Sequence, residues 1–174
     1  SASKVYDWEN LSTESDRRFQ EGPAIPAGLL DAKYVPQGFA AWSNWNGTGE
    51  DLILISAYKE HDYSDDDLDG PSGIWGVVVS GSRAGTSLGR MLIDKGHVGG
   101  IAVYKGWVYV GSENEIRGYR ASTVRAALAA ANTNTVQAKE FGRATTYTVG
   151  FMGTGDGTLW AGDFNPDASD FVYG

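Results

Sequence analysis

One sequence shape occurs three times along the 174 residues, and it leaves few folds open. The first copy reads YVPQGFAAW, a polar turn, then DLILISAY; the second reads GHVGGIAVY, then GWVYVGSE; the third reads TYTVGFMGT, then GTLWAGDF. Each opens on a small or polar residue and a glycine (Gly38, Gly100, Gly150), passes through a short apolar strand, turns, and returns through an aromatic-rich strand. A third strand follows in every copy, as GIWGVVVS, EIRGYRAS and DFVYG, and a fourth in two, as SLGRMLID and QAKEFGRA. Between strands three and four of the second copy, Ser122 is the expected N-cap of a short helix near 122–131, ended by the Asn/Thr run.

Antiparallel four-stranded units at a repeat of about 50–60 residues, with glycine opening the strand that crowds the axis, predict an all-β chain of β-propeller type. An ordinary meander sandwich is the competing architecture. Residues 34–96, 97–146 and 147–174 then form about three blades, the last incomplete. Propellers close with at least about four blades, so a second chain from the same precursor is expected to complete the ring, with six blades as the expected total. Residues 1–33 fit part of a closing blade, with KVYDW as its outer strand.

Twenty-four glycines, six tryptophans and nine tyrosines suit this turn-rich β reading. The formal charge of −8, with 14 scattered basic residues, argues against nucleic acid as a partner, because phosphate contacts need Lys/Arg patches. Cysteine is absent, so thiolate chemistry does not enter. No apolar run reaches the length of a membrane span. The small residues that open SASKVYDW fit the product of signal-peptide removal, and a secreted bacterial protein is expected.

Propeller topology collects the loops after strand two and before strand one on a single face. There the sequence places its acidic and amide side chains, in KEHDYSDDDLDG, DKGHVGG, SENE and GDFNPDASD. His97 stands at the mouth of an innermost strand, with Gln37 at the comparable place in copy one and Tyr147 or Thr148 in copy three. A histidine there suits general acid–base work, and Gln37 joins it as a candidate catalytic residue. Glu113, Asn114, Tyr147 and Thr148 are candidate ligand-binding residues on the same rim.

KEHDYSDDDLDG holds six of the 22 carboxylates in 12 residues. Asp65, Asp67, Asp69 and Gly70 match the first half of a calcium loop, in which alternate carboxylates wrap one hard cation. The bidentate Glu of the full motif is replaced by Gly76, so the site needs ligands from elsewhere, with Glu60 and His61 nearby as candidates. A solvated acidic loop is the alternative. Calcium or another divalent cation is the cofactor this spacing suggests. Trp75, Trp107 and Trp160 are expected in the core between blades, and Trp42 and Trp45 at an exposed turn. GTGDG, which lacks a lysine and a helix, is read as a hairpin turn.

The run YVPQGFAAW … LILISAY … GHVGGIAVYKGWVYVGSENEIRGYR resembles secreted actinobacterial β-propeller-like proteins, and is more distantly similar to six-bladed propellers of the NHL and gluconolactonase/paraoxonase type. The resemblance covers about residues 34–174. It implies a central channel. In the gluconolactonase-like families that channel holds a divalent cation on Glu, Asn and Asp ligands, and lactones are opened or phosphoesters hydrolysed there. NHL-type propellers are often binding modules. Three functions are therefore weighed. The first, and the one expected, is a metal-binding hydrolase of an ester, lactone or phosphoester, in which a cation polarises the scissile group and His97 moves the proton. The second is a module that binds a glycan, small molecule or protein through exposed Trp42, Trp45 and Tyr63, with a structural calcium. The third is a structural or inhibitory protein with no small ligand.

Overall fold

The computed structural model describes residues 23–30, 33–60, 70–131, 133–164 and 172–173. The described chain is mostly β, in three sheets that follow one another along the sequence. Strands β1 (Tyr34–Trp42), β2 (Leu52–Lys59), β3 (Ser72–Val78) and β4 (Ser87–Ile93) form an antiparallel meander. The second sheet runs β5 (Gly100–Tyr104), β6 (Trp107–Ser112), β7 (Glu115–Arg120), then β9 (Phe141–Ala144). The third holds β10 (Val149–Gly155), β11 (Thr158–Asp163) and the two-residue β12 (Val172–Tyr173). Helix α1 spans Ala27–Leu30 and α2 spans Ala121–Ala129.

Strand alternation explains how the sheets pack. In β2, Leu52 and Leu54 point to one face and Ile55 and Ala57 to the other. The first face joins Ile74, Met91 and Ile93 with Ile101, Val108, Val110 and Tyr119 of the second sheet in the main core. On the opposite face Ala57, Trp75 and Tyr34 are covered by Leu29 and Ile25 of the segment around α1. Residues 1–22, and with them the proposed strand KVYDW, lie outside the described residues.

The repeat glycines sit where neighbouring sheets meet. A β-carbon on Gly38 would stand 3.0 Å from Ser56 Oγ and 3.2 Å from both Gly99 O and Ile101 N of the next sheet. One on Gly100 would collide with the backbone at Met152 in β10. These glycines thus let the first strands of adjacent sheets approach more closely than side chains allow.

Four expectations are corrected. QAKEFGRA is two strands: Val136–Gln137 (β8) pairs parallel with β4 of the first sheet, and only Phe141–Ala144 pairs with β7. The chain leaving α2 passes the edge of the first sheet before it returns to the second. Ser122 is not the cap of α2; β7 runs straight into the helix, Arg120 occupies the cap position without a side-chain bond, and Ser122 is exposed in the first turn. Trp42 and Trp45 are buried, at 8% and 4% exposure. The Arg125 guanidinium, on α2, lies 5.3 Å from the Trp42 ring centroid and donates to Trp45 O at 2.6 Å. Trp160 is 40% exposed, on the face of β11 turned away from the second sheet, whereas Trp75 is buried as expected. Among the described residues no helix is long and apolar enough to cross a membrane.

Candidate functional site

The first strand of each of the three sheets is irregular at the end where it begins. In β1 the register slips between Pro36 and Gly38, leaving Gln37 as the extra residue of a bulge. In β10 it slips between Val149 and Phe151, around Gly150. Ahead of β5 the irregularity is Val98, fully buried with φ of 48°. That left-handed conformation costs a β-branched residue about 1–3 kcal/mol and persists only where the surroundings impose it. Ser56 helps impose it by donating from Oγ to Val98 O at 2.9 Å.

These three irregular ends surround a cavity of about 460 Å³. Each sheet contributes the start of its first strand and the end of its second: Gln37 with Tyr58, His97 with Glu113, Thr148 with Phe164. Bulges are favoured beside active sites because they re-aim a side chain without disturbing the rest of the ladder. Gln37, His97, Glu113 and Thr148, four of the residues singled out in the sequence, therefore line one space.

His97 and Glu113 form its chemical centre. The His97 backbone N–H donates to Glu113 Oε1 at 2.9 Å, and the same oxygen faces imidazole Nδ1. Ser112 Oγ donates to Oε2. Partial burial acts to raise the Glu113 carboxyl, but the Ser112 hydroxyl, the backbone amides and the imidazole outweigh it and hold the group down to about 2. An ionised carboxylate only accepts hydrogen bonds, so Nδ1 must carry the proton. In the neutral ring Nε2 then holds the lone pair, and it has no protein partner among the described residues. Tyr58 packs edge-on against the imidazole, centroids 5.0 Å apart at 68°.

The loop carrying His97 is tied down on every side. Arg117, 8% exposed, donates to Asp94 O at 2.8 Å and Lys95 O at 3.2 Å while pairing with Glu115 at 3.0 Å. Ser72 Oγ donates to Gly96 O at 2.6 Å and accepts from Gly96 N at 3.1 Å. A β-carbon on Gly96 would overlap Ser112 Oγ. Glycine is required there so that the loop can lie against the Ser112–Glu113 clamp.

Other candidates fall elsewhere. Tyr147 lines a separate cleft of about 540 Å³ between the second and third sheets, with Tyr109, Phe141 and Arg143. The next residue, Thr148, lines the cavity of about 460 Å³ instead. Asn114 is exposed in the β6–β7 turn at φ 53°, and its carbonyl accepts from Thr145 N at 2.9 Å. Glu60 is half-buried, its amide donating to Lys33 O at 3.1 Å. His61, Asp65, Asp67, Asp69 and Tyr63 lie outside the described residues. Among those described, no three His, Cys, Asp or Glu side chains cluster as metal ligands. Sequence reasoning missed Tyr58 and Phe164, whose only signal was an aromatic at the end of the second strand in copies one and three. No protein-family model matches the chain, and a search of curated proteins finds no significant match.

Proposed function

We propose that the three sheets are successive blades of a β-propeller completed by a further chain, and that the protein is a secreted hydrolase acting on an ester, lactone or phosphoester in the cavity where the innermost strands begin. One observation carries the reading: His97, at a cavity wall, has its tautomer set by an ionised Glu113. For a carboxylic ester, Nε2 takes a proton from water as the water oxygen bonds to the carbonyl carbon, and the electron pair moves onto the carbonyl oxygen. When the pair returns, the bond to the alcohol oxygen breaks and the imidazolium gives its proton to that oxygen. Acid and alcohol form from ester and water, and His97 is restored. The Gln37 amide and Thr148 hydroxyl, both in the cavity wall, are the donors proposed for the developing oxyanion.

The resembled lactonases hold a cation on several carboxylate and amide ligands. The carboxylate described in this cavity, Glu113, already accepts from His97 and Ser112. That donor set does not fit such an ion. Calcium at Asp65, Asp67 and Asp69 is a separate proposal, supported by their spacing, and elemental analysis after dialysis tests it.

Turnover of an ester, lactone and phosphoester panel by wild type and His97→Ala tests the hydrolase. Loss of turnover in the variant supports it. A variant that hydrolyses like wild type, or a wild type that binds esters without turning them over, leaves a binding module instead.

A further inference from the structure

The two joints between the sheets are filled differently. At the first, α2 packs into the wedge, and its Val124 and Leu128 belong to the main core. At the second, the buried group is Ile116, Val149 and Ala161, and no helix stands beside it among the described residues. The cleft of about 540 Å³ opens there, with Ile116 and Ala161 in its wall. Tyr104 ties its two sides, donating from its hydroxyl to Gly157 O in the β10–β11 turn. The volume lies within the range of small-molecule sites.

Strand alternation puts Phe141 and Arg143 on one face of β9, opposite Gly118 and Ile116 of β7. A β-carbon on Gly118 would stand 3.0 Å from Phe141 Cβ and 3.3 Å from Tyr109 Cε1, so glycine lets these two rings meet across the strand. They stand perpendicular, centroids 6.0 Å apart at 88°, and make a corner. Trp107 lies 6.3 Å from each of them. Phe141 nevertheless stays 42% exposed. Such a corner is preorganised for a flat ring that stacks on one wall and meets the other edge-on.

The two arginines of this face differ. Arg120 lies 4.8 Å over the Trp107 ring and 3.7 Å from Glu140. Arg143 lines the cleft, and no carboxylate pairs with it among the described residues. Its guanidinium fork offers two parallel N–H donors, the pattern that a carboxylate accepts. Cation and ring are two residues apart on one strand face, about 7 Å along the strand, so one small molecule can meet both.

From this juxtaposition we infer that the cleft between the second and third sheets is a binding site for an aromatic carboxylate, its ring in the Tyr109–Phe141 corner and its charge on Arg143. The cleft shares no described lining residue with the His97 cavity, and the site stands whether or not that cavity hydrolyses esters.

The test is chemical-shift titration with benzoate, benzyl alcohol and acetate, which carry ring and charge, the ring alone and the charge alone. Benzoate is expected to bind at roughly millimolar concentration, more tightly than the other two, with the largest shifts at the amides of Thr145, Thr146 and Leu159. Arg143→Gln is expected to weaken benzoate about three- to tenfold, as suits an exposed charge pair, and Arg143→Lys less. Phe141→Ala is expected to weaken it by about the same factor and Phe141→Tyr to bind like wild type. Both residues are exposed, so the variants are expected to fold. Benzyl alcohol or acetate binding as tightly as benzoate overturns the inference, as does undiminished binding by Arg143→Gln. Shifts centred on His97 and Glu113 put the ligand in the other cavity and overturn it too. His97→Ala is expected to bind benzoate like wild type; if it also hydrolyses esters like wild type, the mechanism fails and this site stands.

Discussion

The backbone amide of His97 and its imidazole both address one oxygen of Glu113, the amide at 2.9 Å. A single carboxylate therefore fixes the loop and the ring together. Its second oxygen belongs to Ser112, so Glu113 cannot swing away without losing three partners. In the proposed mechanism it is a positioning residue.

Exchanging His97 for alanine is expected to lower kcat by about 10²–10⁴-fold, the usual worth of a general base. Its side chain is 39% exposed, so the thermal midpoint is expected to change little. Glu113→Gln is expected to lower kcat less, because the amide oxygen can still accept from imidazole Nδ1 and hold its tautomer. Steady-state kinetics across pH checks both.

Stability is expected to follow Glu113 on the acid side. Its folded-state value lies below the ordinary 4.5, so its contribution is complete above pH 4.5 and is lost as pH falls toward about 2. The carboxylate is 36% exposed. After discounting for solvent screening, the expected loss over that window is roughly 1–2 kcal/mol. Urea denaturation at a series of pH values should show a correspondingly shallower decline in Glu113→Gln.

Arg117→Ala is expected to cost about 2–4 kcal/mol, because it leaves two carbonyls of the His97 loop without their donor and Glu115 with Lys139 as its remaining cationic partner among the described residues. Activity should fall while the protein remains folded, through a misplaced imidazole. Arg117→Lys keeps the charge but not the fork, and should recover stability better than activity. Denaturation curves measured beside kcat decide this.

Leu128→Ala is expected to destabilise by about 2–4 kcal/mol without touching the cavity. Leu128 is fully buried, and its Cδ1 lies 3.0 Å from where a β-carbon of Gly76 would be, so no other side chain can fill the gap from that strand. Differential scanning calorimetry with an unchanged KM is the expected pairing of results.

The strands were legible where sequence alternation and tertiary environment agree. YVPQGFAAW is β1 to the residue, and the repeat glycines lie at the crowded contacts their spacing implied. QAKEFGRA was not legible, because its division depends on two sheets competing for one segment. Trp42 and Trp45 misled for a similar reason. The group that covers them, Arg125, stands 80 residues beyond Trp45. At the cavity, Gln37, His97, Glu113 and Thr148 could be brought together by counting strand ends. Glu113's part could not, since SENE reads as a turn until Ser112 and the His97 loop are seen around it.

The divided segment also governs how the molecule comes apart. Residues 136–137 are hydrogen-bonded into the first sheet and residues 141–144 into the second, so a few residues of chain tie the two. They also share the largest core cluster, whereas the third sheet meets the second through the small group around Ile116, Val149 and Ala161. Among the described residues the first two sheets thus share the larger core, and the third, held by fewer buried side chains, is the leaf expected to open at lower free energy. Native-state hydrogen exchange should read this as two classes of amide. Phe164, anchored to Thr148 within that leaf, would then leave the cavity wall whenever the leaf lifts.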